Sequence, residues 1–122
     1  MKIYVSHSKG FDFKKELYNP IRQSSLNYKH TFVLPHENSS KLFNSKDFLR
    51  KGCDLVIAEV SFPATGIGIE LGWANILGIP IVCFYKKGLK PSGSLRAVTE
   101  RFVEYANIEE LISGIKNIIR KI

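Results

Sequence analysis

With 122 residues the chain is long enough for one hydrophobic core and too short for two, so residues 1–122 read as a single domain. An apolar share of 44% against a charged share of 24% excludes a disordered chain, and no apolar run is long enough to cross a bilayer. The net charge of +7 favours anionic partners, but the positive residues are scattered in pairs such as Lys14-Lys15 and Lys86-Lys87, without the stripe or aromatic platform that nucleic-acid binding requires.

Strand and helix signals alternate along the chain. Ile3–Val5 is a β-branched and aromatic run that reads as the first strand, and because it starts so early no secretory leader is expected. The loop Ser6–Gly10 leads to a helix near Asp12–Tyr18, with Asp12 as N-cap and Pro20 expected to end or kink it. Thr31–Leu34 reads as a second strand stopped by Pro35, and Asn44–Lys51 as a short helix. Asp54–Val60 is the strongest strand signal; after the loop Ser61–Gly66 a helix covers about Gly68–Leu77 and stops at Gly78. Ile81–Tyr85 and Phe102–Tyr105 are the remaining strands. Ile108, Leu111, Ile112, Ile115, Ile118, Ile119 and Ile122 then follow the spacing of an amphipathic helix, opened by Asn107 and Glu110 and closed by Arg120 and Lys121.

This alternation predicts an α/β fold: a five-stranded, mainly parallel sheet with helices on both faces, three-layered and flavodoxin-like or Rossmann-like. Such sheets bind ligands beyond the carboxyl ends of their strands, which directs attention to Ser6–Gly10, His36–Asn38, Ser61–Glu70 and Lys86–Ser94. Cys53 and Cys83 lie beside or inside apolar runs and read as reduced thiols of a cytoplasmic protein. Three histidines at no ligand spacing imply no metal, and no redox cofactor is implied either.

The chemistry concentrates between Asp54 and Ala74. A buried strand ends in a loop holding Pro63, Thr65, Gly66 and Gly68, where glycine lets backbone approach a ligand. Glu70 then falls in the first turn of the next helix, where the helix field keeps a carboxylate ionised, as a nucleophile needs. From the residues alone Glu70 is also readable as a favourable first-turn acid, and Gly-x-Gly after a strand as a dinucleotide loop lacking its third glycine.

The strand followed by Ala-Glu-Val-Ser, then Gly-x-Gly-x-Glu-Leu-Gly, resembles the signature of the nucleoside 2-deoxyribosyltransferase superfamily, which includes the 2'-deoxynucleoside 5'-phosphate N-hydrolases. The resemblance is strong over about Asp47–Tyr85 and collinear elsewhere. It implies N-glycosidic bond cleavage of a nucleoside or nucleotide, with Glu70 attacking the anomeric carbon to form a glycosyl-enzyme intermediate, as in a retaining glycosidase. It implies Asp47 as a second acidic group and Tyr4 as an active-site residue on the first strand. The spacing from Asp47 to Asp54 is one residue shorter than the resemblance leads one to expect, and one residue on a helix is a rotation of about 100°. Asp54 itself reads as a backbone cap.

Ser6, Ser8, Lys9 and Gly10 combine hydroxyls, backbone N–H groups and a lysine before a helix, a setting suited to a 5'-phosphate. Ser94, in Ser92-Gly93-Ser94, resembles a segment that in the N-hydrolases reaches a partner subunit's phosphate. It is equally a turn. Where the transferases carry an acid and the N-hydrolases a serine, this chain has Ala64, which can do neither job. That disfavours base exchange and leaves Thr65 or the Ser6–Gly10 loop to hold phosphate. The expected function is hydrolysis of a (deoxy)nucleoside 5'-monophosphate; the alternatives are a deoxyribosyltransferase and a non-catalytic nucleotide-binding module. The superfamily's sites are often completed by a neighbouring subunit, so a homodimer or higher homo-oligomer is expected, with Trp73 in core or dimer packing.

Overall fold

The computed structural model describes residues 1–39 and 42–122. Five strands, β1 (Lys2–His7), β2 (Thr31–Val33), β3 (Leu55–Glu59), β4 (Ile81–Lys86) and β5 (Phe102–Tyr105), form one sheet in the order β2-β1-β3-β4-β5. Every pairing is parallel, as expected for a sheet with strands joined by helical crossovers. From β1 the chain turns outward to β2, then crosses back to β3. The strand order therefore reverses between β1 and β3, the place where open α/β sheets leave a crevice.

The two faces of the sheet are sorted by the period of two along each strand. Ile3 and Val5 of β1, with Leu55, Ile57, Val82 and Phe84, join Leu17, Tyr18, Ile21, Leu111 and Ile115 in one buried cluster. Tyr4, Val56, Ala58 and Cys83 point the other way and pack with Leu49, Ile67, Leu71 and Ala74. The first face is covered by α1 (Asn19–Gln23) and α5 (Ile108–Lys121), the second by α3 (Ser45–Gly52) and α4 (Thr65–Ile76). A short α2 (Leu26–Lys29) and a 3-10 turn at Gly93–Ala97 were not foreseen from the sequence.

Pro20 does not stop the first helical segment. Lys14–Tyr18 is a π turn, with the Asn19 N–H reaching the Lys14 carbonyl, and α1 continues directly from it. The wider turn lets Pro20 fall in the first turn of α1, where its missing N–H has no helical partner to lose. Asp12 does cap this segment, accepting from the Lys15 N–H at 3.3 Å.

The C-terminal helix follows its sequence signals closely. Asn107 Oδ1 accepts from the Glu110 N–H at 2.9 Å, while Glu110 reaches back to the Ala106 N–H at 2.8 Å. Gly114 lets this helix sit close on β4, because a Cβ there would lie 3.0 Å from Phe84 Cε2. Its neighbour Ile115 is fully buried. Ile115→Ala is expected to cost about 2–5 kcal/mol through lost burial and a residual cavity. An unchanged denaturant midpoint in the variant would contradict that account.

Candidate active site

β1 carries two polar residues on its α4-facing side, Tyr4 and Ser6, and both are buried. Both donate to the same carboxylate: the Tyr4 hydroxyl to Glu70 Oε2 at 2.5 Å and the Ser6 hydroxyl to Glu70 Oε1 at 2.7 Å. Each carboxylate oxygen thus takes one O–H donor, which fixes the plane of the group. Tyr4 is held in turn by Phe43 and Phe48, its ring 5.9 Å from each. Burial first, then the neighbouring Glu70 carboxylate, push the Tyr4 phenol far above its ordinary value, so it stays a donor.

Glu70 does not sit in the first turn of its helix. α4 begins at Thr65, three residues before the expected Gly68, which leaves Glu70 in the second turn. The helix field fades beyond the first turn. The hydroxyls of Tyr4 and Ser6, not the helix terminus, are therefore what orients this carboxylate.

Glu70 and Tyr4 open on a cleft of about 520 Å³, in the size range of small-molecule sites. Lys9 and His36 contribute its polar nitrogens, and Phe43 and Trp73 part of its apolar wall. His7 also lines it, but both ring nitrogens are engaged: Nδ1–H donates to the Ser8 carbonyl at 2.7 Å and Nε2 accepts from the Tyr18 hydroxyl at 2.5 Å. Burial lowers the His7 pKa, in keeping with a neutral ring. His36 is likewise lowered, by burial and then by Lys9, with a hydrogen bond to the Ser39 backbone acting the other way, and its Nδ1 is buried.

The residues expected at the site divide into three groups. Tyr4, Lys9, Gly66 and Glu70 line the cleft, and Ser6 supports it from below through Glu70. Thr65, Gly68 and Ser94 line a neighbouring hollow of about 340 Å³, which meets the cleft at Ala64. Ser8 is turned inward, its Oγ accepting from the Gly10 N–H at 2.8 Å. A Cβ on Gly10 would lie 3.1 Å from that oxygen, so the glycine serves the loop's own turn.

Asp47 is the exception. Ser45 faces the cleft and Leu49 is buried, whereas Asp47, two positions and about 200° from Ser45, lies half exposed on the outer side of α3. There it pairs with Lys51 at 2.9 Å, and its N–H donates to Asn44, the helix cap. The one-residue difference in spacing has its full rotational effect, so the carboxylates of Asp47 and Glu70 do not converge on one cleft. Asp54 caps as expected, accepting from the Lys2 N–H at 2.7 Å.

His36, Leu42, Phe43 and Ser45 were not singled out as site residues from sequence, although His36 lies in a strand-end loop that was flagged. Their signal is weak because β2 has three residues and the segment after it has no motif. Among the described residues no group of three or more potential metal ligands occurs, and no helix is long and apolar enough to cross a membrane.

Comparison with known proteins bears on the fold. A solved structure of a CMP N-glycosidase, BcmB, from Clostridium botulinum superposes with a TM-score of 0.67 over 95% of this chain and 99% of that one, at 21% identity. The chain therefore has a nucleoside 2-deoxyribosyltransferase-like fold. No protein-family model matches it. Two curated proteins, the 5-hydroxymethyl-dUMP N-hydrolases of Rattus norvegicus and Mus musculus, are each 52% identical to it over 33 residues, 27% of this chain. That match spans about a fifth of the length of those relatives.

Tyr18 and Tyr105 share the character of Tyr4: burial, the largest cause for each, raises their phenols well above the ordinary value. Groups raised in this way stabilise the fold below the unfolded tyrosine pKa of about 10 and lose that contribution as pH climbs above it. Phenolate absorbance is expected to show these three ionising only as the chain unfolds in alkali. Reversible ionisation of all the tyrosines in the native protein would contradict the burial described.

Proposed function

We propose that this domain hydrolyses the N-glycosidic bond of a (deoxy)nucleoside 5'-monophosphate through a covalent glycosyl–Glu70 intermediate. The observation that carries this reading is the Glu70 carboxylate at the cleft, oriented by the hydroxyls of Tyr4 and Ser6. A carboxylate oxygen adds to the anomeric carbon as the base leaves with the bonding pair; water then attacks that carbon, giving its hydroxyl to the sugar and its proton to the departed base, and frees the glutamate. The substrate class is supported by the printed activities of the similar proteins, each an N-glycosidase or N-hydrolase of a nucleoside monophosphate. Lys9 and His36 supply nitrogens at the cleft for the 5'-phosphate or the departing base, while Thr65 and Ser94 offer hydroxyls across Ala64. Ala64 leaves no acidic contact for a second base, which favours water as acceptor over base exchange.

One observation favours a second reading. With Asp47 on the outer side of α3, the paired acid expected of a glycosidic site is not at the cleft, and a nucleotide-binding module without turnover needs none.

We also propose a homodimer formed across α4. Ile69 and Ile76 are exposed on that helix, Ile76 to 85%, with Leu77 exposed at its C-cap, beside the cleft mouth where Leu42 is exposed to 98%. A second copy covering this face would bury these side chains and close the cleft. The free thiols of Cys53 and Cys83 support a reducing compartment such as the cytoplasm.

Incubation with a panel of nucleosides and 5'-monophosphates, with free base followed by chromatography, tests the reaction. Monophosphates are expected to release base, and Glu70→Gln to lose about 10³-fold or more of that rate. Binding of monophosphates without any base release would select the second reading. Ile76→Asp is expected to convert the dimer to a monomer in light scattering after size exclusion; a wild-type monomer would overturn the dimer proposal.

A further inference from the structure

Lys86 ends β4 and does not line the cleft, yet it meets the segments that build two of its walls. Its Nζ lies 2.5 Å from Glu16 Oε1, 5.1 Å from the centre of the Phe11 ring and 5.4 Å from that of Phe62. The two rings are themselves 5.5 Å apart. Its backbone N–H donates to Ser61 Oγ at 2.8 Å. Phe11 belongs to the loop after β1 that carries Lys9, and stands edge-on to His7. Phe62 belongs to the loop after β3 and precedes Ala64 and Gly66, which line the cleft on the other side.

An exposed ion pair alone contributes little. Here the ammonium also faces two aromatic rings from separate loops and keeps only 28% of its side-chain surface. Both rings are drawn to one charge, so both loops are held at a fixed separation. Without it, the contact between Phe11 and Phe62 has no charge to join it, and Phe11 keeps His7 and Phe13 on its own side. The loop after β1 leaves the sheet beyond His7, while that after β3 keeps the Val60 N–H on the Phe84 carbonyl and Ser61 Oγ on the Lys86 N–H.

We infer that Lys86 is a positioning residue for the substrate-binding walls of the cleft, acting through Phe11 and Phe62 on Lys9 and on Ala64–Gly66. The role concerns binding, and it rests on the hydrolase reading only for its effect on turnover. Tyr4, Ser6 and Glu70 are tied to one another independently of Lys86, so the chemical step should be spared.

Hydrogen exchange followed by mass spectrometry on wild type, Lys86→Met and Lys86→Arg tests this without assuming a reaction. Lys86→Met keeps the apolar stem and removes the charge; residues 8–13 and 61–66 are expected to exchange about ten-fold faster, with α5 and β1 unchanged. Lys86→Arg, which retains a cation for both rings and Glu16, should restore the wild-type pattern. Glu16→Gln should give the same pattern at smaller amplitude. For monophosphate hydrolysis, Lys86→Met should raise KM about ten-fold with kcat within about two-fold, and Lys86→Arg should recover KM. Unchanged exchange in both loops, or faster exchange across the whole chain, would overturn the inference, as would a fall in kcat at constant KM. A wild type inert toward every nucleotide would end the hydrolase reading, and the exchange pattern would still decide the role of Lys86.

Discussion

The contact between Glu70 and the two hydroxyls of β1 joins the first strand of the sheet to the helix that follows the third. A half-buried carboxylate beside an apolar wall costs free energy unless its oxygens are satisfied, of order 1–3 kcal/mol for each group left without a partner. Tyr4 and Ser6 supply that satisfaction with neutral O–H groups rather than a cation. An opposing cation would neutralise the carboxylate's charge, whereas two hydroxyls orient it and leave the charge in place. The reactive character proposed for Glu70 therefore depends on β1 presenting oxygen at alternate positions 4 and 6, on a face otherwise occupied by apolar side chains.

That requirement ties the site to the topology. Tyr4 and Ser6 reach α4 only because β1 lies directly beside β3, with Ser6 level with Ala58, a residue small enough to leave room above the sheet. β2 then occupies the other edge of β1, and the segment after it supplies His36, Phe43 and Ser45 to the cleft. The cleft is thus assembled from the loops on either side of the reversal in strand order. Phe43 serves two purposes, lining the cleft and stacking on Tyr4, so the apolar wall also fixes one of the donors to Glu70.

Sequence patterning read the scaffold well because periodicity and caps are local. The continuous apolar run of β3 and the apolar stripe of α5 are encoded within a few neighbouring residues, and they fold as written. Of the candidate site, Glu70 was singled out by its motif and Tyr4 by the family resemblance, and both line the cleft. At Asp47 the shortened spacing flagged a rotation about the helix axis, but not which way the side chain would face. Asp47 has the right chemistry on the right helix, but buried Ser45 and Leu49 set which side of α3 faces inward, and Asp47 falls opposite. The three added residues at the start of α4 changed the account of Glu70 similarly: Ala64 offers no side-chain cap, so no local signal marked the true start. His36 and the residues after β2 stayed hidden because their placement is a tertiary fact.

Two glutamates near the carboxyl end of the sheet show how a structural carboxylate differs from the one proposed to react. Glu59, at the end of β3, is almost wholly buried and accepts from the Ser61 N–H, the Ser61 hydroxyl and the Tyr105 hydroxyl. Three donors occupy most of the roughly four lone-pair sites a carboxylate offers. With no path to the cleft, Glu59 closes the end of β3 against β4 and β5. Among the described residues Glu70 receives two donors, both from β1, and it lines the cleft. A nucleophile needs that incomplete satisfaction: enough hydrogen bonding to fix its orientation, and an unshared pair facing the space a substrate would fill. The residue types at the two positions are identical, so their difference arises entirely from how many neighbours the fold brings to each.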